Sequence, residues 1–261
     1  MKKRFNTTGV CIPTMHYMVD ITDKLDKIIE LIKEKDYFII NRPRQYGKTT
    51  TMYMLEQRLK NDYLVVSMSF EGIGDEVFLK EKTFSKVFIE LMAESLEFTN
   101  EEESKRLLGY ENDIDNLRDL SKLITRFVRD SKKDVILFID EVDKSYNNQL
   151  FLSFLGMLRN KYLDREKGRA VTFKSVILAG VYDIKNLKLK LRPDEEKKYN
   201  SLWNIAVPFN IDMSLSEKGI EKMLKEYKND RNIRLNAKKS AEFIHFYTNG
   251  YPFYMGKSII T

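Results

Sequence analysis

The side chains with chemistry to offer fall in two short runs. In the first, Gly47-Lys48-Thr49-Thr50 sets an ammonium and two hydroxyls directly behind a glycine. Such a run suits a phosphate, because the free N–H groups and the positive end of a helix beginning there attract an anion. Lys48 would reach the terminal phosphates and the Thr49 hydroxyl would ligate Mg2+, while Gly47 has no Cβ to obstruct close approach of the backbone. In the second, Asp140-Glu141 closes the apolar run Val135-Ile136-Leu137-Phe138-Ile139. Two adjacent carboxylates at the end of a buried strand are unfavourable unless a cation or base chemistry uses them. Beside a nucleotide phosphate, Asp140 would hold the Mg2+ shell and Glu141 would orient and deprotonate the attacking water.

These residues need elements to position them. Tyr37-Phe38-Ile39-Ile40 has the character of a buried parallel strand that ends in Asn41-Arg42-Pro43, and Met54, Leu55 and Leu59 recur at helical spacing afterwards. Strand, tight loop and helix with Gly-Lys-Thr at the helix start is the P-loop arrangement. The standard pattern G-x-x-x-x-G-K-[ST] asks for a glycine where Arg42 stands. Pro43 fixes its own φ and pushes Arg42 toward extended geometry, so the strand is expected to run straight into the loop. Either run alone fits an ordinary helix start or a strand end with solvated acids. Together and in this order they point to nucleotide binding, with Arg44, Gln45, Tyr46, Gly47, Lys48, Thr49 and Thr50 as the binding run and Lys48 on an exposed loop.

A chain of 261 residues with 43% hydrophobic and 12% aromatic content can build a full core. The single Cys11 cannot form an internal disulfide, which fits a reducing compartment. Met1-Lys-Lys-Arg is not followed by an apolar run of signal length, and no stretch approaches the roughly 20 apolar residues of a membrane span. A cytoplasmic protein is expected, with no membrane partner. The net charge of +6 is mild, with bases gathered at Arg159–Arg169 and Lys185–Lys198. Solvated helix faces account for most of this pattern; nucleic acid contact is compatible with it but not indicated.

Taken in order, Thr22 or Asp23 caps a helix to about Lys35 with Leu25, Ile28, Ile29 and Ile32 on one face. Strands are expected at 63–70, 135–140, 171–180 and 205–213, the last at the sheet margin because it contains a proline. Helical periodicity covers 76–98 as one helix, then a segment from Ile114, and 148–163, with the charged stretch Asn100–Arg106 read as an interruption. From Ser216 the pattern is helical, with a stop at Asn249-Gly250. Alternating strands and helices imply an α/β fold with a parallel central sheet and ligands at the strands' carboxyl ends. The stretch between Thr49 and Asp140 holds a strand and several helices, so an extra strand is expected between the phosphate-loop strand and the acid-pair strand. The chain divides into a 1–214 core and a 215–261 helical unit, the latter expected to be incomplete and part of a longer protein.

With these residues in view, the chain resembles the bacterial AAA-ATPase-like families of P-loop ATPases. Asn41-Arg-Pro-Arg-Gln-Tyr-Gly-Lys-Thr49 resembles their phosphate loop, in which Arg-Pro-Arg replaces the first glycine, and Ile139-Asp-Glu-Val-Asp143 resembles their acidic motif. Gly250-Tyr251-Pro252 resembles the Gly-x-Pro of the STAND and archaeal ATPase clades. The resemblance implies a three-layer P-loop NTPase fold of the additional-strand type with a small helical lid, ATP and Mg2+ as ligands, and Glu141 and Lys48 as catalytic residues. It implies ATP rather than GTP because no Asn-Lys-x-Asp guanine motif is present. Two departures stand out. The sensor strand ends Gly180-Val181-Tyr182-Asp183 without the usual Ser, Thr or Asn, so Tyr182 or Asp183 substitutes or the function is absent. Asn204 stands where related archaeal ATPases carry an arginine, with Arg192 nearby.

The resemblance also offers Tyr17–Val19 as a base pocket, with ordinary core packing as the alternative. Asp143 is expected to be a supporting acid and Glu71 a loop residue. Three activities fit: an ATP-hydrolysing domain, an ATP-dependent switch that engages a protein partner or self-associates with little turnover, and a nucleic-acid-associated ATPase.

Overall fold

The computed structural model describes residues 2–110, 114–144, 148–181 and 203–260. The chain forms two compact units, one gathering Met1–Glu30, Pro43–Gln57 and Asn210–Thr261, the other Leu31–Arg42 and Arg58–Phe209.

The second unit holds the sheet. Its strands are β1 (Phe38–Asn41), β2 (Leu64–Ser69), β3 (Val135–Asp140) and β4 (Ser175–Gly180), all parallel in the order β1-β4-β3-β2. Every residue of β3 and β4 is buried, which is why their sequences are continuous apolar runs rather than alternating ones. One large core gathers Leu137, Ile139 and Val176 with the rings of Phe70, Phe84, Phe88, Phe151 and Phe154. Those rings meet edge-on, tilted or stacked, as between Phe70 and Phe151 at 5.9 Å and 79° and between Phe84 and Phe88 at 6.1 Å and 26°. Phe84 and Phe88 come from α3 (Glu81–Leu96), Phe151 and Phe154 from α6 (Gln149–Glu166) and Phe70 from just past the end of β2, and α5 (Leu117–Asp130) adds Leu120, Ile124 and Phe127.

This is the α/β parallel-sheet architecture that the alternation predicts, with specific differences. A strand does lie between β1 and β3, but it is β4, which follows the acid pair in sequence; β2 is the edge strand beyond β3. Residues 76–98 are not one helix: a 3-10 turn at Asp75–Leu79 and an extended Lys80 precede α3. Asn100–Arg106 is no interruption, for Glu101–Leu108 is a helix (α4) capped by the Asn100 side chain, with three glutamates in its first turn and Leu107 in the core. Acids at a helix N-terminus complement its dipole, a signal that apolar periodicity alone overlooks. Residues 205–213 make a single bridge, Phe38 with Val207, instead of a strand, and the strand expected from Val171 begins at Ser175. Pro208 follows that bridge and brings no N–H to extend it.

The first unit is helical. It contains most of α1 (Thr22–Lys33) and of α2 (Lys48–Leu59), with α7 (Glu217–Arg231), α8 (Ala237–Thr248) and α9 (Pro252–Ile260). Ser216 caps α7 by accepting from the Gly219 N–H, and Asn236 caps α8 from Lys239. Asn249 and Gly250, at φ 46° and 69°, end α8 as expected. A ring trio of Phe5, Tyr17 and Tyr227 ties the N-terminal segment to α7, and the Tyr17 hydroxyl donates to Asp230 at 2.8 Å. Among the described residues no helix is long and apolar enough to cross a membrane.

Candidate functional site

β1 delivers the chain to the loop without a glycine turn. The Arg42 N–H donates to the Gly180 carbonyl at 3.1 Å, continuing the β1–β4 ladder, and the Arg42 guanidinium lies 5.2 Å over the Phe209 ring. An extended backbone and a stacked side chain explain why no glycine is needed at this position.

The loop itself belongs to the first unit. Gln45 at φ 59° and Gly47 at φ 80° are both left-handed, which folds residues 43–47 tightly onto the start of α2. A Cβ on Gly47 would meet nothing within 4 Å, so the glycine answers to its backbone conformation and the space beside it is open. The Gly47 carbonyl accepts from both the N–H and the hydroxyl of Thr51, each at 2.9 Å, which fastens the first turn of α2. The Lys48 ammonium folds back to donate to the Pro43 carbonyl at 3.1 Å. Lys48 is only 7% exposed, contrary to the expectation of an exposed loop residue. The fold-back onto the loop's own carbonyl keeps the ammonium from extending into solvent. Arg44 and Gln45 are exposed, Tyr46 is half-buried, and Thr49 presents an exposed side chain in the first turn. The Thr50 hydroxyl accepts from the Cys11 N–H at 3.1 Å.

The acid pair belongs to the second unit. Asp140 ends β3, 8% exposed, and its Oδ1 accepts from the Glu141 N–H at 2.8 Å. Glu141 is left-handed, φ 54°, and turns the chain into the 3-10 segment Val142–Lys144, where Val142 is buried. Both Asp143 oxygens accept from the Val181 N–H, at 2.8 and 2.7 Å. A Cβ on Gly180 would lie 2.8 Å from Asp143 Oδ1, so Asp143 clamps the end of β4. In a parallel sheet all carboxyl ends share one edge, so the Asp140 end of β3 and the Asn41 end of β1, which feeds the loop, lie at the same edge.

Other candidates are placed as follows. Tyr17 and Val19 are core residues: Tyr17 sits in the ring trio, and a Cβ on Gly219 would lie 2.5 Å from the Val19 side chain. Glu71 is an exposed loop residue whose N–H is held by the Ser69 hydroxyl at 3.0 Å. Asn204 accepts from Arg159 Nε at 2.7 Å. Tyr182, Asp183, Arg192 and the basic stretch Lys185–Lys198 lie outside the described residues. Tyr251 was not singled out by sequence, although its Gly-x-Pro setting was. Its hydroxyl donates to the Arg44 carbonyl, and its ring meets Tyr46 edge-on at 4.8 Å and 82°.

Each unit carries a hard oxygen donor of the kind divalent cations take, the exposed Thr49 hydroxyl in the first and the Asp140 carboxylate in the second. Among the described residues no group of three or more His, Cys, Asp or Glu side chains could hold a metal unaided.

In fold, the chain is similar to a Walker-type ATPase of Pyrococcus abyssi, at 12% identity and a TM-score of 0.64, over 97% of this chain and 69% of that one. No curated protein matches it in sequence. A family model for the AAA-like domain matches residues 16–183, which span both the phosphate-loop run and the acid pair. The chain belongs to the AAA-like domain family.

Proposed function

We propose that this domain binds ATP with Mg2+ and hydrolyses its terminal phosphoanhydride to ADP and phosphate. The observation that carries the reading is the loop: two left-handed residues, Gln45 and Gly47, wrap a tight turn onto a helix whose first residue, Lys48, holds its ammonium on a carbonyl of that same loop. Such a turn gathers N–H donors at a helix N-terminus, where an anion is favoured. Lys48 would exchange the Pro43 carbonyl for phosphate oxygens, and residues 44–50 would contribute mainly backbone N–H groups, since the Thr50 hydroxyl is engaged with Cys11. Thr49 and Asp140 would hold Mg2+, which when bound neutralises phosphate charge. Glu141 would accept a proton from the attacking water.

A second reading draws on Asn204, which stands in place of an arginine and instead holds Arg159. An arginine finger is worth about 10³–10⁵ in rate. A domain lacking one would act as an ATP-dependent switch for a protein partner or a second copy, turning over slowly until a partner supplies the charge.

The test is thermal. ATP with Mg2+ at 100 times its Kd should stabilise the folded protein by about 2.7 kcal/mol, and GTP should shift the melting temperature less. Because Lys48 is buried and braces Pro43, Lys48→Ala should lower the unliganded melting temperature as well as remove the shift. A full ATP shift in that variant would take Lys48 out of the site, and equal shifts with ATP and GTP would contradict the adenine assignment.

A further inference from the structure

The turn Gly250-Tyr251-Pro252 is fixed on both sides. The Gly250 carbonyl accepts from the Leu215 N–H at 2.8 Å, and a Cβ on Gly250 would lie 2.3 Å from the Leu215 oxygen, so only glycine fits. Pro252 opens α9, where its missing N–H costs nothing. Between them the Tyr251 N–H donates to the Thr248 carbonyl at 2.8 Å. The backbone that carries this side chain is therefore held, and the side chain is directed at the phosphate loop: hydroxyl to the Arg44 carbonyl, ring edge-on to Tyr46. Partial burial, then the neighbouring Tyr254 and Tyr46, raise the phenol above its usual pKa, so the hydroxyl stays a donor.

In a planar trans peptide the C=O and the following N–H point in opposite directions. Holding the Arg44 carbonyl toward Tyr251 thus aims the Gln45 N–H the other way. Lys48 does the same to the Arg44 N–H through the Pro43 carbonyl. Two successive loop amides are then oriented by two side chains far apart in sequence, Lys48 at the loop and Tyr251 directly before α9.

We propose that Tyr251 is a positioning residue for polyphosphate binding: its hydroxyl sets the direction of the Gln45 N–H, so that phosphate affinity depends on the turn that opens α9. This rests on reading residues 43–50 as a phosphate loop. The tie runs both ways, since a phosphate that engages the Gln45 N–H favours the loop conformation that Tyr251 grips.

The experiment measures binding of Mg-ATP and, separately, of tripolyphosphate, which has no base or sugar, to the full chain and to Tyr251→Phe and Tyr251→Ala. Phenylalanine keeps the ring contact with Tyr46 and removes only the hydroxyl. It should weaken both ligands equally, by about three- to tenfold, the effect of one hydrogen bond, and alanine should weaken both further. The Gln45 amide resonance should move in the free Tyr251→Phe protein, a signature that a general loss of stability does not produce. The proposal is overturned if Tyr251→Phe binds both ligands like the parent, if the Gln45 amide does not move, or if ATP weakens while tripolyphosphate does not. The last result would place Tyr251 at the base instead. A parent that binds neither ligand defeats the phosphate-loop reading itself and this proposal with it, an outcome visible before any variant is made.

Discussion

Glu141 offers a perturbation in which stability and chemistry move in opposite directions. Its φ of 54° places a residue with a Cβ in the left-handed region, at a cost of about 1–2 kcal/mol. Glu141→Gly removes that cost but adds about 0.5–1 kcal/mol of unfolded-chain freedom. The side chain is half-buried and has partners of its own, which takes a further fraction. The net is a gain of about 0.5 kcal/mol, or 1–2 °C in melting temperature. Turnover should nevertheless fall by about 10²–10⁴-fold, because the proposed general base is gone. Glu141→Gln keeps the size and the left-handed backbone and loses only basicity. It should melt like the parent, bind ATP like the parent, and match the glycine variant in slowed phosphate release. Phosphate release, ATP affinity and melting temperature would be measured on all three proteins in one buffer. If Glu141→Gln releases phosphate at the parental rate, the base assignment fails. If Glu141→Gly melts several degrees below the parent, the backbone is not strained in the way argued.

Two other outcomes test the scaffold. Ile136 is fully buried in β3 between Val65 and Ser175, so Ile136→Ala should cost about 2–5 kcal/mol in denaturant unfolding; a neutral result would mean that β3 is not interior. Lys161 is buried on α6 with its ammonium on the Thr125 hydroxyl, and burial, opposed by Asp164, lowers its pKa from 10.5 to about 8. A depressed folded pKa means that the unfolded chain binds more protons between those values, so the contribution of Lys161 should make stability rise with pH from about 8 toward 10.5 and leave it level below 8, and Lys161→Met should flatten that rise.

Much of this was legible in residue order, for physical reasons that differ by element. β3 and the loop entry were readable because a strand buried on both faces has no choice but continuous apolar residues. Arg42 was readable as extended because Pro43 excludes the alternative, and the ladder bond to Gly180 follows. α4 was missed because only Leu107 of its eight residues joins the core, so its signal lies in the Asn100 cap and the three glutamates behind it, not in hydrophobic spacing. The expected strand at 205–213 failed because a short extended run next to Pro208 pairs at one residue and no further. Lys48 was misplaced because type and spacing fix its position but not its rotamer. The Tyr251–Arg44 contact joins residues 207 apart in sequence, a separation that no local pattern encodes.

The backbone carries a signal of its own that singles out the same two motifs. Among the described residues five that are not glycine adopt positive φ: Lys35, Gln45, Glu141, Asn232 and Asn249. Three have an ordinary reason, since Asn232 and Asn249 cap α7 and α8 at their carboxyl ends and Lys35 follows the end of α1. Gln45 and Glu141 cap no helix end. One lies in the loop ahead of Lys48 and the other directly after Asp140, so the two positions with no capping role are those the side-chain chemistry had already marked. Strain of this kind persists only where the surroundings over-determine the conformation. At Gln45 the bracing carbonyls belong to Pro43 and Arg44, held by Lys48 and Tyr251; at Glu141 the brace is the Asp140 carboxylate on one side and buried Val142 on the other. A fold that needed only a turn at either place could have used glycine or asparagine. A glutamate held left-handed at the end of a buried strand makes sense if its carboxylate has to stand where that turn puts it.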